Sequence, residues 1–296
     1  MKLFEVAYSA QRTKKISEED FVYLLEKNCK KSAKRINATP LYRGVDKDLQ
    51  LQFGDTSVGS PRKSANTKNY YTLWVDNSPM WKDFPKRSRS FICTTDKEYA
   101  SSYGEIYLVI PFDNAQIGIC PSGDFWFSFE GASDLSRLNN IIDGIFSTFL
   151  DLEIVNYGDT NNIDSEDYAF LKKFLKEVTL QNLEKAKDNL DSKTGSEWIR
   201  KRTLQTIYIR DAEYLINKNN VKNFADAMDA VLSPKKFIKT DGKSFAASGN
   251  VECFVGGKVL FLPLNFSKNN EHKILKKYLD DNHLNNILRE FKIKNV

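Results

Sequence analysis

Histidine is almost missing from this chain. Its 296 residues contain two, His272 and His283, both in the C-terminal segment. A catalytic triad built on imidazole is therefore unpromising, and no H-E-x-x-H zinc motif occurs. Cysteine is also scarce. The four, Cys29, Cys93, Cys120 and Cys253, form no C-x-x-C pair, which argues against a zinc site and against a disulfide framework. Small buried hydrophobes are the expectation for Cys93, Cys120 and Cys253. No run of about 18 uncharged apolar residues occurs, so no transmembrane helix and no membrane partner is expected. The opening Met1-Lys2-Leu3-Phe4-Glu5 has no long apolar run and reaches an acid at once. It does not read as a secretory signal, and the cytoplasm is the expected location. A G-x-x-x-x-G-K phosphate loop and a G-x-S-x-G nucleophile elbow are both missing. Carboxylates, arginines, hydroxyls and aromatics remain to carry chemistry.

What is present describes a folded protein. Hydrophobic residues make up 41% and charged residues 28%, a balance that excludes disorder of the whole chain. The length fits one large domain with an insertion, or two small domains. A net charge of +5 permits an anionic ligand without demanding one. The tryptophans Trp74, Trp81, Trp126 and Trp198 are expected in core or interface packing.

Residues 17–36 read as a helix, with Ser17 as N-cap, Asp20 three positions on, and Phe21, Leu24 and Leu25 at helical spacing. Pro40 turns the chain extended, and Leu41–Val45 reads as a short strand. Residues 46–70 are polar and read as a long ordered loop. Tyr71–Trp74 reads as a short helix or a strand. Ser90–Thr94 is a strand, and Asp96–Tyr103 a short helix stopped by Gly104. Glu105–Pro111 is the clearest buried strand, followed by Gln116–Cys120. Apolar residues then recur at helical spacing from about 133 to 232. Strand character returns at Val251–Val255 and Val259–Leu262, with Gly256-Gly257 between them as a two-residue hairpin signal. Residues 271–292 form an amphipathic helix. Strands and helices do not alternate regularly, so the expected class is α+β with a helical insertion rather than a doubly wound parallel sheet.

Three segments stand out for chemistry. In Leu41-Tyr42-Arg43-Gly44, an arginine at a strand end is either a surface residue or a guanidinium fork for a diphosphate or carboxylate. In Arg89-Ser90-Phe91-Ile92-Cys93-Thr94-Thr95, small hydroxyl and thiol residues either end a strand or hold a ribose and a catalytic acid. In Gly249-Asn250-Val251-Glu252-Cys253-Phe254-Val255, alternation puts Asn250, Glu252 and Phe254 on one face. A glutamate there is either solvated or catalytic.

Taken together, and in this order, the segments resemble the Arg–Ser–Glu class of mono-ADP-ribosyltransferases, of a divergent phage or bacterial effector type. That family has an aromatic-Arg-Gly strand, a strand bearing F-x-S-T-S, an apolar strand ending near proline, and a strand carrying Q-x-E or E-x-E. Here the counterparts are Tyr42-Arg43-Gly44, Phe91–Thr95, Tyr107–Pro111 and Asn250-Val251-Glu252. Cys93 stands for the first serine, Thr95 for the last, and Asn250 for the Gln or Glu. The resemblance implies a split mixed or antiparallel sheet core over residues 1–132 and 240–296, with residues 133–239 as a large helical insertion. It implies a pentosyl-transferring enzyme with NAD as substrate and no metal. Arg43 would bind the NAD diphosphate, and Gly44 the nicotinamide amide. Thr94, with Cys93 and Thr95 beside it, would support the nicotinamide ribose and hold Glu252. Glu252 would bond the ribose 2′-hydroxyl and stabilise the oxocarbenium-like centre. Tyr42 or Phe112 would stack on the nicotinamide, and Asn250 would line the same pocket. Glu130, in Trp126-Phe127-Ser128-Phe129-Glu130, is the rival acid.

The acceptor expected is a protein side chain. The alternatives are a nucleic-acid base, reached past the basic Lys14-Lys15, Lys30-Lys31, Lys34-Arg35 and Lys86–Arg89 segments, and a binding module of the same fold without catalysis. A monomer is the default, and an effector origin would place the protein in a host cytoplasm.

Overall fold

The computed structural model describes residues 12–45, 50–62, 69–130, 132–152, 154, 168–192, 196–264, 273–282 and 284. The chain divides into two compact units. One comprises residues 1–66, 81–128 and 235–296, the other 67–80 and 129–234. The boundaries differ from the 132 and 240 expected from sequence. The helical unit also takes in the segment 67–80, and the sheet unit begins again a few residues before 240.

The first unit is built on a nine-stranded sheet in the order β1-β3-β9-β5-β2-β4-β8-β6-β7. Its strands are β1 (Thr13–Lys15), β2 (Tyr42–Val45), β3 (Gln52–Asp55), β4 (Phe91–Thr94), β5 (Glu105–Pro111), β6 (Gln116–Ile119), β7 (Ile238–Asp241), β8 (Glu252–Gly256) and β9 (Lys258–Pro263). Every ladder is antiparallel. The class is thus α+β, and the sheet is antiparallel rather than mixed. Within β5 the run from Tyr107 to Pro111 is apolar and buried throughout, as the central part of a strand with both faces covered must be.

One joint in this sheet is weak. β2 and β4 meet at a single pair, Tyr42 opposite Thr94, whereas β2 pairs with β5 over four residues and β4 with β8 over four. Away from that pair the sheet parts into two halves, β1-β3-β9-β5-β2 and β4-β8-β6-β7.

The stretch expected as one helix over 17–36 is two, α1 (Glu18–Asn28) and α2 (Lys30–Ala38). Ser17 caps α1 by accepting from the Asp20 amide at 3.0 Å, and three acids in the first turn oppose the positive end of the helix dipole. Cys29 leaves helical geometry at φ −124°, ψ 11°. The N-terminus of α2 is capped from elsewhere: the Asp113 carboxylate accepts from the Ser32 amide at 2.8 Å and the Lys31 amide at 3.1 Å. A cap supplied 82 positions away leaves no local signal, hence the single helix read from sequence. Phe21, Leu25, Ala33 and Ile36, together with Leu275 and Leu279 of α10 (Lys273–Asp281), cover the sheet. Of the rest of the helix expected over 271–292, residues 271, 272, 283 and 285–292, His272 and His283 included, lie outside the described residues.

Two further expectations change, and one alternative is resolved. The Tyr71–Trp74 segment, read as a short helix or a strand, is helical, within α3 (Tyr70–Asn77). The loop expected over 46–70 contains β3. Gly256-Gly257 is not a hairpin. β8 pairs with β4 and β6, and β9 with β3 and β5, so the chain crosses from one half of the sheet to the other. Gly257 adopts φ 101°, which favours glycine. Its amide is held by Thr56 Oγ1 at 2.7 Å, and its carbonyl accepts from the Thr56 amide at 3.0 Å. Those bonds replace the ladder a hairpin would have made.

The second unit is helical: α3, then α5 (Ala132–Asp151), α6 (Tyr168–Glu177), α7 (Leu180–Ser192), α8 (Ser196–Lys218) and α9 (Phe224–Val231). Buried Leu138, Ile141, Ile142, Ile145, Phe174, Ile209, Ala212 and Leu215 sit at the helical spacings read from sequence. Asp229 of α9 ties in α3, accepting from Trp74 Nε1 and Ser78 Oγ, each at 2.8 Å.

Candidate functional site

Strand register assembles the site. Thr94 lies opposite Tyr42 on one side and opposite Glu252 on the other. Three residues far apart in sequence thus form one row across β2, β4 and β8. Directly opposed residues share a face, so Thr94 and Glu252 point the same way. Phe254, two residues on, joins them.

Glu252 is buried, with 3% of its surface exposed. An ionised carboxylate there needs partners. Oε1 meets Arg87 Nη1 at 2.7 Å, and Oε2 accepts from the Phe125 amide at 3.3 Å. Arg87, in a 3-10 turn over Arg87–Arg89, is equally buried. Its guanidinium lies 3.9 Å from the Phe125 ring centroid and 5.6 Å from that of Trp126, close enough for cation–π attraction. The Phe125–Trp126 turn is fixed by Asp124, which accepts from the Trp126 amide at 2.7 Å. Behind it Trp81, Phe84, Phe125, Phe237 and Phe254 pack ring against ring, at centroid distances of 4.9 Å for Trp81–Phe237 and 5.6 Å for Phe125–Phe254. The ion pair is thereby roofed with aromatic carbon.

Arg43 sits on the neighbouring strand but turns to the opposite face. Since Tyr42 shares the Thr94 face, Arg43 falls on the other, with Phe91 and Cys93. Arg43 Nη1 donates to the Ile92 carbonyl at 2.7 Å, and the guanidinium lies 6.0 Å from the Phe91 ring centroid. Arg43 and Glu252 are both close enough to Cys93 to act on its thiol. Burial pushes that thiol up to about 12, Arg43 acting downwards and Glu252 upwards.

The other expected residues separate into groups. The Thr94 hydroxyl accepts from the Asp96 amide at 3.0 Å, and the side chain bonded to Glu252 is Arg87. Thr95 fastens the start of β8: its hydroxyl donates to the Gly249 carbonyl at 2.7 Å and accepts from the Val251 amide at 2.9 Å. Asn250 is exposed and donates to Asp96 at 3.0 Å. Gly44 serves packing, since a Cβ there would come within 2.1 Å of the Ala100 carbonyl and 2.7 Å of Tyr103 Cβ. That lets α4 (Lys97–Ser101) lie directly on β2. Tyr42 is buried in the core. Phe112 follows the last residue of β5, beyond Pro111, and packs edge-on against Phe53 at 5.9 Å. It is a core residue away from the Tyr42–Thr94–Glu252 row, contrary to the stacking role expected. Glu130 is exposed and belongs to the helical unit.

Sequence reading missed Arg87 and the Phe125–Trp126 turn. Lys86-Arg87-Ser88-Arg89 is read from sequence only as one of the basic segments bordering the way to a nucleic-acid acceptor. The signal that Arg87 differs is its place just before β4, where a 3-10 turn aims it across β8. Among the described residues no group of three or more His, Cys, Asp or Glu is placed to hold a metal ion, and no helix is long and apolar enough to cross a membrane. The molecule is an α+β protein with a carboxylate–guanidinium pair buried at a divided antiparallel sheet. No known family model, curated protein or solved structure matches it.

Proposed function

We propose that the chain binds NAD and transfers its ADP-ribose to a macromolecular acceptor, a protein side chain, with release of nicotinamide. On this reading the divided sheet is an ADP-ribosyltransferase core, and the helical unit is an insertion into it. The observation that carries the reading is the row Tyr42–Thr94–Glu252 across three adjacent strands, with Arg43 next to it at the point of division. These are the segments the resemblance singled out by order alone.

In the proposed reaction the bond between the ribose C1′ and the nicotinamide nitrogen breaks, nicotinamide leaving with the bonding pair. Positive charge develops on C1′ and the ring oxygen. Glu252 supplies a fixed negative charge and accepts a hydrogen bond from the 2′-hydroxyl. The acceptor heteroatom then bonds to C1′ and gives up its proton. Arg87 holds Glu252 in place but also balances its charge, so the pair must open for the carboxylate to act at full strength.

That pair favours a second reading, a binding module of the same fold without catalysis. A neutralised, roofed carboxylate and an Arg43 on the other face describe a site that holds rather than reacts.

Nicotinamide release separates the two. The proposal expects the full chain to release nicotinamide from NAD, Glu252→Gln to lose turnover by at least about a hundredfold, and Glu130→Gln to retain it. Circular dichroism and a urea melt on each variant show that the fold survives. NAD bound without release by the unaltered chain would establish the module instead.

A further inference from the structure

The transfer step leaves one proton without a destination. An acceptor hydroxyl or nitrogen that bonds to C1′ must lose a proton, and Glu252 is committed elsewhere: its oxygens are held by Arg87 and the Phe125 amide, and it is buried. The loop that follows β6 is stitched around this glutamate. The Cys120 amide donates to the Glu252 carbonyl at 2.9 Å, the Glu252 amide donates to the Ser122 carbonyl at 3.1 Å, and the Phe125 amide donates to Glu252 Oε2. Asp124 thus stands one residue from an amide that touches the Glu252 carboxylate. Its own carboxylate is half-buried. Oδ1 accepts from the Trp126 and Phe127 amides at 2.7 and 3.2 Å, and among the described residues Oδ2 accepts nothing. The Ser122 and Ser128 hydroxyls donate to the Asp124 carbonyl at 3.0 and 2.7 Å, so the turn is fixed. Phe127 on that turn is 74% exposed, which puts the turn where a macromolecule can reach it. Asp96, by contrast, has both oxygens engaged, with the Tyr99 amide and with Asn250. The Tyr103 phenol is pushed up by burial first, then by Tyr99, and also by Glu252 and Asp124, so both carboxylates lie within electrostatic reach of one hydroxyl.

We propose that Asp124 is the general base of the transfer step, its Oδ2 taking the proton of the acceptor heteroatom as that atom bonds to C1′. The inference rests on the transferase reading, and Asp124 lies outside every motif of the resemblance. Two carboxylates then divide the work. Buried Glu252 acts on the ribose, and half-buried Asp124 meets the incoming group. The nicotinamide leaves with the bonding pair of C1′, the acceptor supplies the new pair, and its proton ends on Asp124 and passes to water. The attacked heteroatom turns acidic as its bond to carbon forms, so an ordinary carboxylate is a sufficient base.

The test uses the full chain, NAD, and water as the acceptor, with nicotinamide and ADP-ribose separated by chromatography. Asp124→Asn keeps an oxygen for the Trp126 and Phe127 amides and removes the base. It should slow turnover by roughly a hundredfold or more. Asp124→Ser also keeps an oxygen and should show the same loss, with circular dichroism reporting on the fold of each. Sodium azide then separates chemistry from structure. Azide brings an electron pair and no proton, so it needs no base. It should restore most of the lost nicotinamide release in both variants and yield ADP-ribosyl azide. Turnover in Asp124→Asn equal to that of the unaltered chain, or a loss that azide does not restore, overturns the proposal and leaves the transferase reading standing. No nicotinamide release by the unaltered chain removes that reading, and this base with it.

Discussion

Arg87 and Glu252 leave about one-twentieth of their side-chain surface in contact with water. At that depth the two charges depend on each other. Removing one partner strands the other in a low-dielectric site and costs about 3–5 kcal/mol, whereas replacing both costs far less. In urea denaturation Arg87→Met and Glu252→Gln should each lower stability by about that amount, and the double variant should recover most of it. Additive losses would show that the two residues stabilise the fold separately. The cysteines offer a second test at this scale. All four are buried and unbridged, and burial raises the Cys93 thiol from 9.0 to about 12. A thiol whose folded value lies above its unfolded value contributes stability that is complete below about pH 9, because both states are then protonated. Between pH 9 and 12 the unfolded chain loses a proton the folded chain keeps, so stability falls as pH rises. A denaturation series should therefore show stability insensitive to these thiols up to about pH 8 and declining above pH 9. A chromogenic disulfide reagent at pH 8 should react with four thiols in urea and with none in the native protein.

Gly44 shows how elements set what a single position tolerates. α4 lies so close over β2 that an alanine methyl at position 44 meets the Ala100 carbonyl at 2.1 Å. That atom is backbone and cannot rotate away, so the helix or the strand must shift. Gly44→Ala should destabilise the protein by about 1–3 kcal/mol or more, and a denaturation midpoint unchanged from that of the parent would disprove the packing. The same element-level geometry explains what could be read in advance. β4, β5 and β8 were legible because apolar residues cluster in short runs bounded by turn residues, which is a local signal. The break at Cys29 was not legible, because the cap of α2 is Asp113 on a distant loop. The crossing at Gly257 was misread because Gly-Gly serves a hairpin and a crossover equally well, and the choice lies with Thr56 and the pairing of β9 with β3. At the site, order along the chain anticipated the neighbourhood of Thr94 and Glu252. It could not anticipate that strand alternation would turn Arg43 to the other face, or that Arg87 would reach Glu252. The Arg87–Glu252 contact joins residues 165 positions apart, and both features depend on register, which no short motif records.

At the scale of the whole molecule the proposed transferase reading requires an acceptor, and charge bears on its class directly. The excess of +5 is spread over 296 residues. The exposed cations of α2, Lys30, Lys31, Lys34 and Arg35, lie on the outer face of a helix whose buried face is Ser32, Ala33 and Ile36. Helices covering a sheet commonly carry such a solvated face. Arg12 and Arg87, by contrast, are buried and turned inward to carbonyls and a carboxylate, so they add nothing to an outer polyanion-binding surface. A protein that neutralises many backbone phosphates shows affinity that collapses as salt rises, and nothing in this distribution calls for that. On the proposed reading the expected acceptor is therefore a protein. Incubating the full chain with NAD labelled in its adenylate half and a cell lysate should give label that protease releases and nuclease leaves in place. That label should persist when salt is raised from roughly 50 to 200 mM, a range over which a protein making several phosphate contacts loses orders of magnitude in affinity. Label removed by nuclease and lost across that salt range would assign the acceptor to nucleic acid, and would make the basic face of α2 the first surface to test by substitution.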